Sequence, residues 1–158
     1  MILDEQGLFS NKQSIKTSCV SENILDMGKR EVSFGTPVEL FVQVAEEFNN
    51  LTSLTIKVQT ATDEEFSDSI DLIEQTMTLA ELKQGAVSNI KFLPKGNLGY
   101  MRLSYTVAGT APTKGTILAG VVDGTQQSFH NIISFAFLIS LVLGAFCSEF
   151  LFFKNLLE

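Results

Sequence analysis

The row Val38 to Val44, VELFVQV, alternates: Val38, Leu40, Val42 and Val44 fall on one side, and Glu39, Phe41 and Gln43 on the other. A repeat of two belongs to extended chain, whose successive side chains point to opposite faces, so this row predicts a half-buried strand. The same repeat returns in LTIKV (Leu54, Ile56, Val58), in LIEQTMTL ending at Leu79 and in VSNIKFL ending at Leu93. It returns again in YMRLSYTV (Met101, Leu103, Tyr105, Val107) and in TILAGVV near Val122, and weaker forms, SIKTSCV and ENILDM, come first. Turn-forming clusters separate the rows: FGTP from Phe34, FNN from Phe48, PKGNLG from Pro94 and AGTAPTKG from Ala108. About eight short strands so spaced predict an all-β fold, an antiparallel jelly roll or β-sandwich. One helical turn interrupts them, where Thr78 and Glu81 form a Thr-x-x-Glu capping pair and Gly85 closes LAELKQ.

A chain of 158 residues holds one domain with a real core plus appendages. Residues 1–12, MILDEQGLFSNK, have no repeat and carry Leu8 and Phe9 among polar neighbours, which predicts an N-terminal arm, lying back on its own domain or docking on a neighbour. Residues 13–126 are the β domain. Residues 127–158 are a hydrophobic C-terminal tail, expected to be helical.

That tail is set apart by composition. Seven of the thirteen phenylalanines follow residue 128, so without the tail the remainder reads as a moderately polar globular domain. From Phe129 to Ser148 there is no formal charge with His130 neutral, and a helix of that length spans about 30 Å, the hydrocarbon thickness of a bilayer. Ala136, Ser140, Gly144 and Ser148 recur every fourth residue and line one ridge of such a helix, the small-residue pattern that lets two helices approach closely. Glu149 breaks the run before Phe150, Phe152 and Phe153. Residues 129–153 are thus compatible with a membrane, but a helix apolar on all sides is equally one buried in a protein assembly, and that reading is favoured.

The usual signs of catalysis or cofactor binding are missing. His130 is the only histidine and stands at the start of the tail, away from any cleft-forming segment that would make it a base. The loop GTAPTKGT, Gly109 to Thr116, has its lysine before its last glycine and leads into a strand, whereas a phosphate-binding loop needs Gly-Lys-Ser/Thr opening a helix. The acidic run DEEFSDSID holds Asp63, Glu64, Glu65, Asp68 and Asp71, but its spacing is not that of a calcium loop, and it reads as a solvated loop. Cys19 and Cys147 lack a Cys-x-x-Cys partner and read as free thiols of a reducing compartment. MILDEQG lacks the basic lead of a secretory signal, so the Asn50 sequon carries no weight. A net charge of −7 disfavours a phosphate backbone as partner. No catalytic, cofactor or metal residue is therefore assigned, and no enzyme is expected.

Three blocks carry a resemblance: LDEQGLFS at the start, GTPVELFVQVAEEFNNLTSLTIKVQT from Gly35 to Thr60, and GYMRLSYTVAGTAPTKGTILAGVV from Gly99 to Val122. In order and spacing they resemble the capsid cement, or decoration, proteins of tailed bacteriophages, a small jelly-roll family, over residues 1–126. The resemblance implies a non-enzymatic virion protein on the outer surface of the head that bridges adjacent major capsid protein subunits and stabilises the shell. It implies as partners the major capsid protein and further copies of the chain itself, as a dimer or trimer, with no direct nucleic acid. Contact candidates are the large apolar groups of the arm and outer strand faces: Leu8, Phe9, Phe41, Phe48 and Tyr100. The tail departs from the family pattern and supports a second reading, a tail-anchored membrane protein displaying a β-sandwich. A sugar-binding jelly roll is the weakest alternative, because the chain has no Trp and only Tyr100 and Tyr105 as tyrosines.

Overall fold

The computed structural model describes residues 3–28 and 37–122, all within one compact unit, Met1–Thr125. The expected tail helix, its ridge at Ala136, Ser140, Gly144 and Ser148, and the membrane-compatible residues 129–153 lie outside the described residues, as do His130 and Cys147.

The described residues are all-β, with eight strands and no helix. They are β1 (Leu3–Ser14), β2 (Cys19–Val20), β3 (Leu25–Asp26), β4 (Glu39–Glu46), β5 (Leu51–Ala61), β6 (Ile70–Thr78), β7 (Tyr100–Gly109) and β8 (Thr116–Val122). One sheet runs β1-β8-β4. The other runs β2-β7-β5-β6, with β3 also on β7, and every pairing in both is antiparallel. The strongest alternations place the core as expected: Leu40, Val42 and Val44 of β4, Leu54, Ile56 and Val58 of β5, Met101, Leu103 and Tyr105 of β7, and Ile117 and Ala119 of β8 join in one buried cluster. Two sheets thus cover a single core, and each contributes its inward-facing residues.

Two stretches join the sheets along their sides, one irregular and one built around the two-residue strands β2 and β3. Residues 85–93 run beside β4, where the Gly85, Ser88 and Leu93 amides donate to Val44, Val42 and Val38, and the Val44 and Leu40 amides donate to Ala86 and Lys91. Midway, the Ser88 hydroxyl and the Asn89 amide both donate to Gln75 Oε1 of β6, at 2.6 and 2.8 Å, and the Ile90 amide donates to Ser88 Oγ. This detour explains why VSNIKFL, which reads as a strand, is not one: only Val87 and Phe92 keep isolated bridges, to Gln43 and Glu39. On the opposite side residues 19–26 connect β1 to β7. The Asn23 amide donates to Phe9 and its side chain to Leu8, while the Ser21 amide donates to Leu103 and Ser21 Oγ accepts from the Leu103 amide. Of SIKTSCV, Ser14 ends β1, Cys19 and Val20 form β2, and the four residues between them lie outside the strands.

Of the expected N-terminal arm, residues 3–12 fall within β1 (Leu3–Ser14), which lies back on its own domain as an edge strand of the three-stranded sheet. Its register against β8 slips between Leu3 and Leu8, between Leu8 and Ser10 and between Ser10 and Gln13, and Lys12 has φ of 55°. The slips insert three, one and one extra residues into β1, each an odd number, which removes the repeat of two that would mark a strand. The turn at Thr78 is a single one. The Glu81 carboxylate accepts from both the Thr78 amide and the Thr78 hydroxyl, so the hydroxyl is engaged as a donor to that side chain and the capping pair is half made.

Two interactions fix details of this core. Gly115 has φ of 132°, and a Cβ there would lie 2.3 Å from the Phe48 ring, so the backbone passes flush against the phenylalanine. Gly115→Ala is expected to cost about 2 kcal/mol or more, from overpacking together with an unfavourable φ, read as a lower urea midpoint by circular dichroism. Tyr105, fully buried, shares a 2.8 Å hydrogen bond with Ser10 across the two sheets. Because the Ser10 hydroxyl donates to Gln13 Oε1 at 2.7 Å, the tyrosine is the donor to Ser10. Burial is the main cause that pushes the Tyr105 phenol well above its ordinary value. The fold therefore favours the neutral phenol. That contribution is complete below the unfolded value of about 10 and is lost as pH rises above it. Between about pH 9 and about pH 11 wild type should lose more stability than Tyr105→Phe, which lacks the ionisable group.

Candidate contact surface

Residues paired across antiparallel strands share a face, so the ladder of the three-stranded sheet shows what its outer side presents. Inward from β4 and β8 go Leu40 with Val121, Val42 with Ala119 and Val44 with Ile117. Outward go Glu39 with Val122, Phe41 with Gly120 and Gln43 with Leu118. The isolated bridges extend two of these rows: Phe92 joins Glu39 and Val87 joins Gln43. On the other side of β8, Leu8 stands opposite Gly120. The outer face thus has three rows with apolar members, Phe92-Glu39-Val122, Phe41-Gly120-Leu8 and Val87-Gln43-Leu118, and ends in a polar row, Glu46-Thr116-Ser14. Val87 and Phe92 are each 48% exposed, while Phe41 and Leu118 are half-buried. Leu8 and Val122 are buried, yet neither belongs to the core cluster between the sheets.

Gly120 is what lets the middle row lie flat. A Cβ there would meet the Gly7 carbonyl oxygen and Leu8 Cδ2 at 2.9 Å each, so the leucine occupies the space a side chain would need. One of those atoms is backbone, which cannot rotate away.

The outer side of the other sheet has the opposite chemistry. Thr55 and Thr76 share a 2.8 Å hydrogen bond between β5 and β6. Lys57 Nζ meets Asp71 at 2.7 Å and Glu74 at 3.3 Å, Gln59 Nε2 donates to Asp71 at 2.6 Å, and Arg102 Nε donates to Gln59 at 2.9 Å. The Arg102 guanidinium also lies 4.0 Å from the centre of the Phe66 ring. The hydrogen bonds from Lys57 and Gln59 hold the Asp71 carboxyl below the ordinary carboxylate range. This side is dominated by a polar network, with Val20, 41% exposed opposite Ser104, and half-buried Tyr100 as its apolar members.

The five contact candidates separate on this geometry. Leu8, Phe9 and Phe48 are buried, with Phe9 and Phe48 in the core between the sheets, so these three offer little or no surface to a partner. Phe41 and Tyr100 are half-buried and lie on opposite sheets: Phe41 is in the apolar face, and Tyr100 alternates with core residue Met101 on the side of Arg102. The structure does not bring them together. Val87, Phe92 and Leu118 were not singled out by sequence. In VSNIKFL a strict alternation puts Phe92 on the side of Ile90, yet Phe92 is exposed and Ile90 is buried, because the chain here is not a regular strand.

The acidic run is engaged within its own loop. Asp68 accepts from the Thr62 amide and hydroxyl, at 3.0 and 2.7 Å, and Asp63 accepts from the Ser67 amide. Among the described residues no group of three or more His, Cys, Asp or Glu is arranged to hold a metal ion. Cys19 is a half-buried free thiol, pushed up by burial, with Gln13 Nε2 at 3.9 Å.

Gly120→Ala is expected to destabilise the domain by about 1–3 kcal/mol, since the methyl group must displace Leu8 and the β1 backbone. Pairing it with Leu8→Ala, which empties the same space, should recover part of that loss in a double-mutant comparison of urea midpoints.

No curated protein matches the chain. Residues 9–121, from Phe9 of β1 to Val121 of β8, match the Bbp16 family model.

Proposed function

We propose that this chain, which belongs to the Bbp16 family, is a structural protein of a phage particle that binds the outside of the head and braces adjacent major capsid subunits. The observation that carries the reading is the contrast between the two outer faces: one sheet presents Phe41, Val87, Phe92 and Leu118, and the other is dominated by a polar network. A domain with one apolar face is suited to lying on a larger surface. The resemblance of its three sequence blocks to capsid cement proteins names that surface.

In this reading the two antiparallel sheets are those of a jelly roll, and the domain works by avidity. Contacts of modest strength suffice when an oligomer touches several subunits at once, because each later contact forms at high effective concentration. The alternative, a tail-anchored membrane protein, draws its support from the uncharged run Phe129 to Ser148. The two readings separate on where the chain is found.

Density-purified particles are expected to hold many copies of the intact 17.3 kDa chain by mass spectrometry. Heads assembled without it should release their DNA at a lower temperature, and adding the purified chain should restore the wild-type value. Recovery of the chain in host membranes, with none in particles, selects the anchor instead.

A further inference from the structure

We infer that the outer face of the β1-β8-β4 sheet, widened by Val87 and Phe92, is the surface that seats the domain on the shell, against a capsid patch apolar at its centre and basic around it. The inference rests on the head-binding role proposed above and assigns the face that performs it.

Three observations converge on this side. The first is a cluster of apolar groups: of the six exposed large hydrophobic residues among those described, Val87 and Phe92 flank Phe41 and Leu118 here, while Ile70, the most exposed, and Ile73 lie on β6. The bridges to Glu39 and Gln43 hold Phe92 and Val87 on the same side as Phe41 and Leu118, and both are 48% exposed, so covering them removes apolar surface from water. The second is shape. The face is a hydrogen-bonded ladder whose middle row is kept flush by Gly120 and the Leu8 packed on it, so it is formed before any partner arrives. The third is charge. The chain carries a net charge of −7, so an approaching partner surface is favoured when it is electropositive, and the attraction orients the encounter before the apolar centres meet. The opposite side is a poorer choice. Docking there would desolvate Lys57, Asp71, Glu74, Gln59 and Arg102, which already satisfy one another.

The test is co-sedimentation of the full-length chain with heads assembled without it, in one mild detergent throughout. Wild type is compared with the double variant Val87→Asp/Phe92→Asp and with Ile70→Asp, which places a charge at a 51% exposed position of β6 in the other sheet. Both substituted sites of the double variant are well exposed, so its urea midpoint should stay close to that of wild type. The expected result is head affinity lowered about tenfold or more for the double variant and little changed for Ile70→Asp. Binding by a folded double variant at the wild-type level overturns the face while leaving head binding intact. Failure of wild type to bind heads overturns both the role and the face. If wild type ignores heads but self-associates by light scattering, and the double variant does not, the face belongs to a second copy of the chain and the shell assignment falls.

Discussion

The fold depends on one shared core between two sheets that do not hydrogen-bond to each other through regular strands. Side chains from β4, β8 and β1 meet those from β5, β6 and β7, and the sandwich is held at its sides by the irregular residues 85–93 and by the segment built around β2 and β3. On one side Gln75 Oε1 accepts from Ser88 and Asn89; on the other Ser21 and Asn23 divide their hydrogen bonds between β7 and β1. Without these links, the edges of β4 and β1 would present unpaired amides and carbonyls beside a hydrophobic interior. The Tyr105 hydroxyl on Ser10 adds a polar bond through the core itself, and the phenol can be fully buried because that oxygen has a partner.

The consequence for the surface is an uneven division of labour. In the five-stranded sheet, polar side chains on the outer face close on one another. In the three-stranded sheet, the outer face keeps apolar residues that the core does not use. The same irregular segment, 85–93, that seals β4 also contributes the two most exposed of them, so closing the sandwich and building the face are one structural event.

Much of this was legible in the sequence where the repeat of two is clean. VELFVQV, LTIKV, YMRLSYTV and TILAGVV each lie in a strand, and their inward residues are those alternation names. Legibility failed where backbone irregularity shifts the phase. The slips in β1 hid a strand in residues 3–14 and made Leu8 and Phe9 look like an arm's anchors, although Phe9 is core and Leu8 packs over Gly120. In VSNIKFL the fault ran the other way, with apparent alternation concealing a two-residue detour whose cause, Gln75, is more than ten positions distant. Phe41 was readable as outward-facing from the row itself. Its neighbours in the face, Val87, Phe92 and Leu118, are brought beside it only by the sheet order β1-β8-β4 and the covering of β4, and neither is encoded in any one segment.

One described feature bears on how such a domain tolerates crowding. Among the described strands β6 pairs with β5 alone and ends its sheet on the side away from β2 and β3, so another chain's backbone could add on there. Its ladder skips Leu72, since Val58 pairs with Ile73 and Gln59 with Asp71, and the extra residue bends the strand beside the charged pair Asp71 and Glu74. A bent, charged edge is a poor template for a straight incoming strand, even with Ile70 and Ile73 exposed on it. The kink in β6 thus works against runaway strand-to-strand polymerisation, so copies can be packed side by side at high local density and still remain separate folded units.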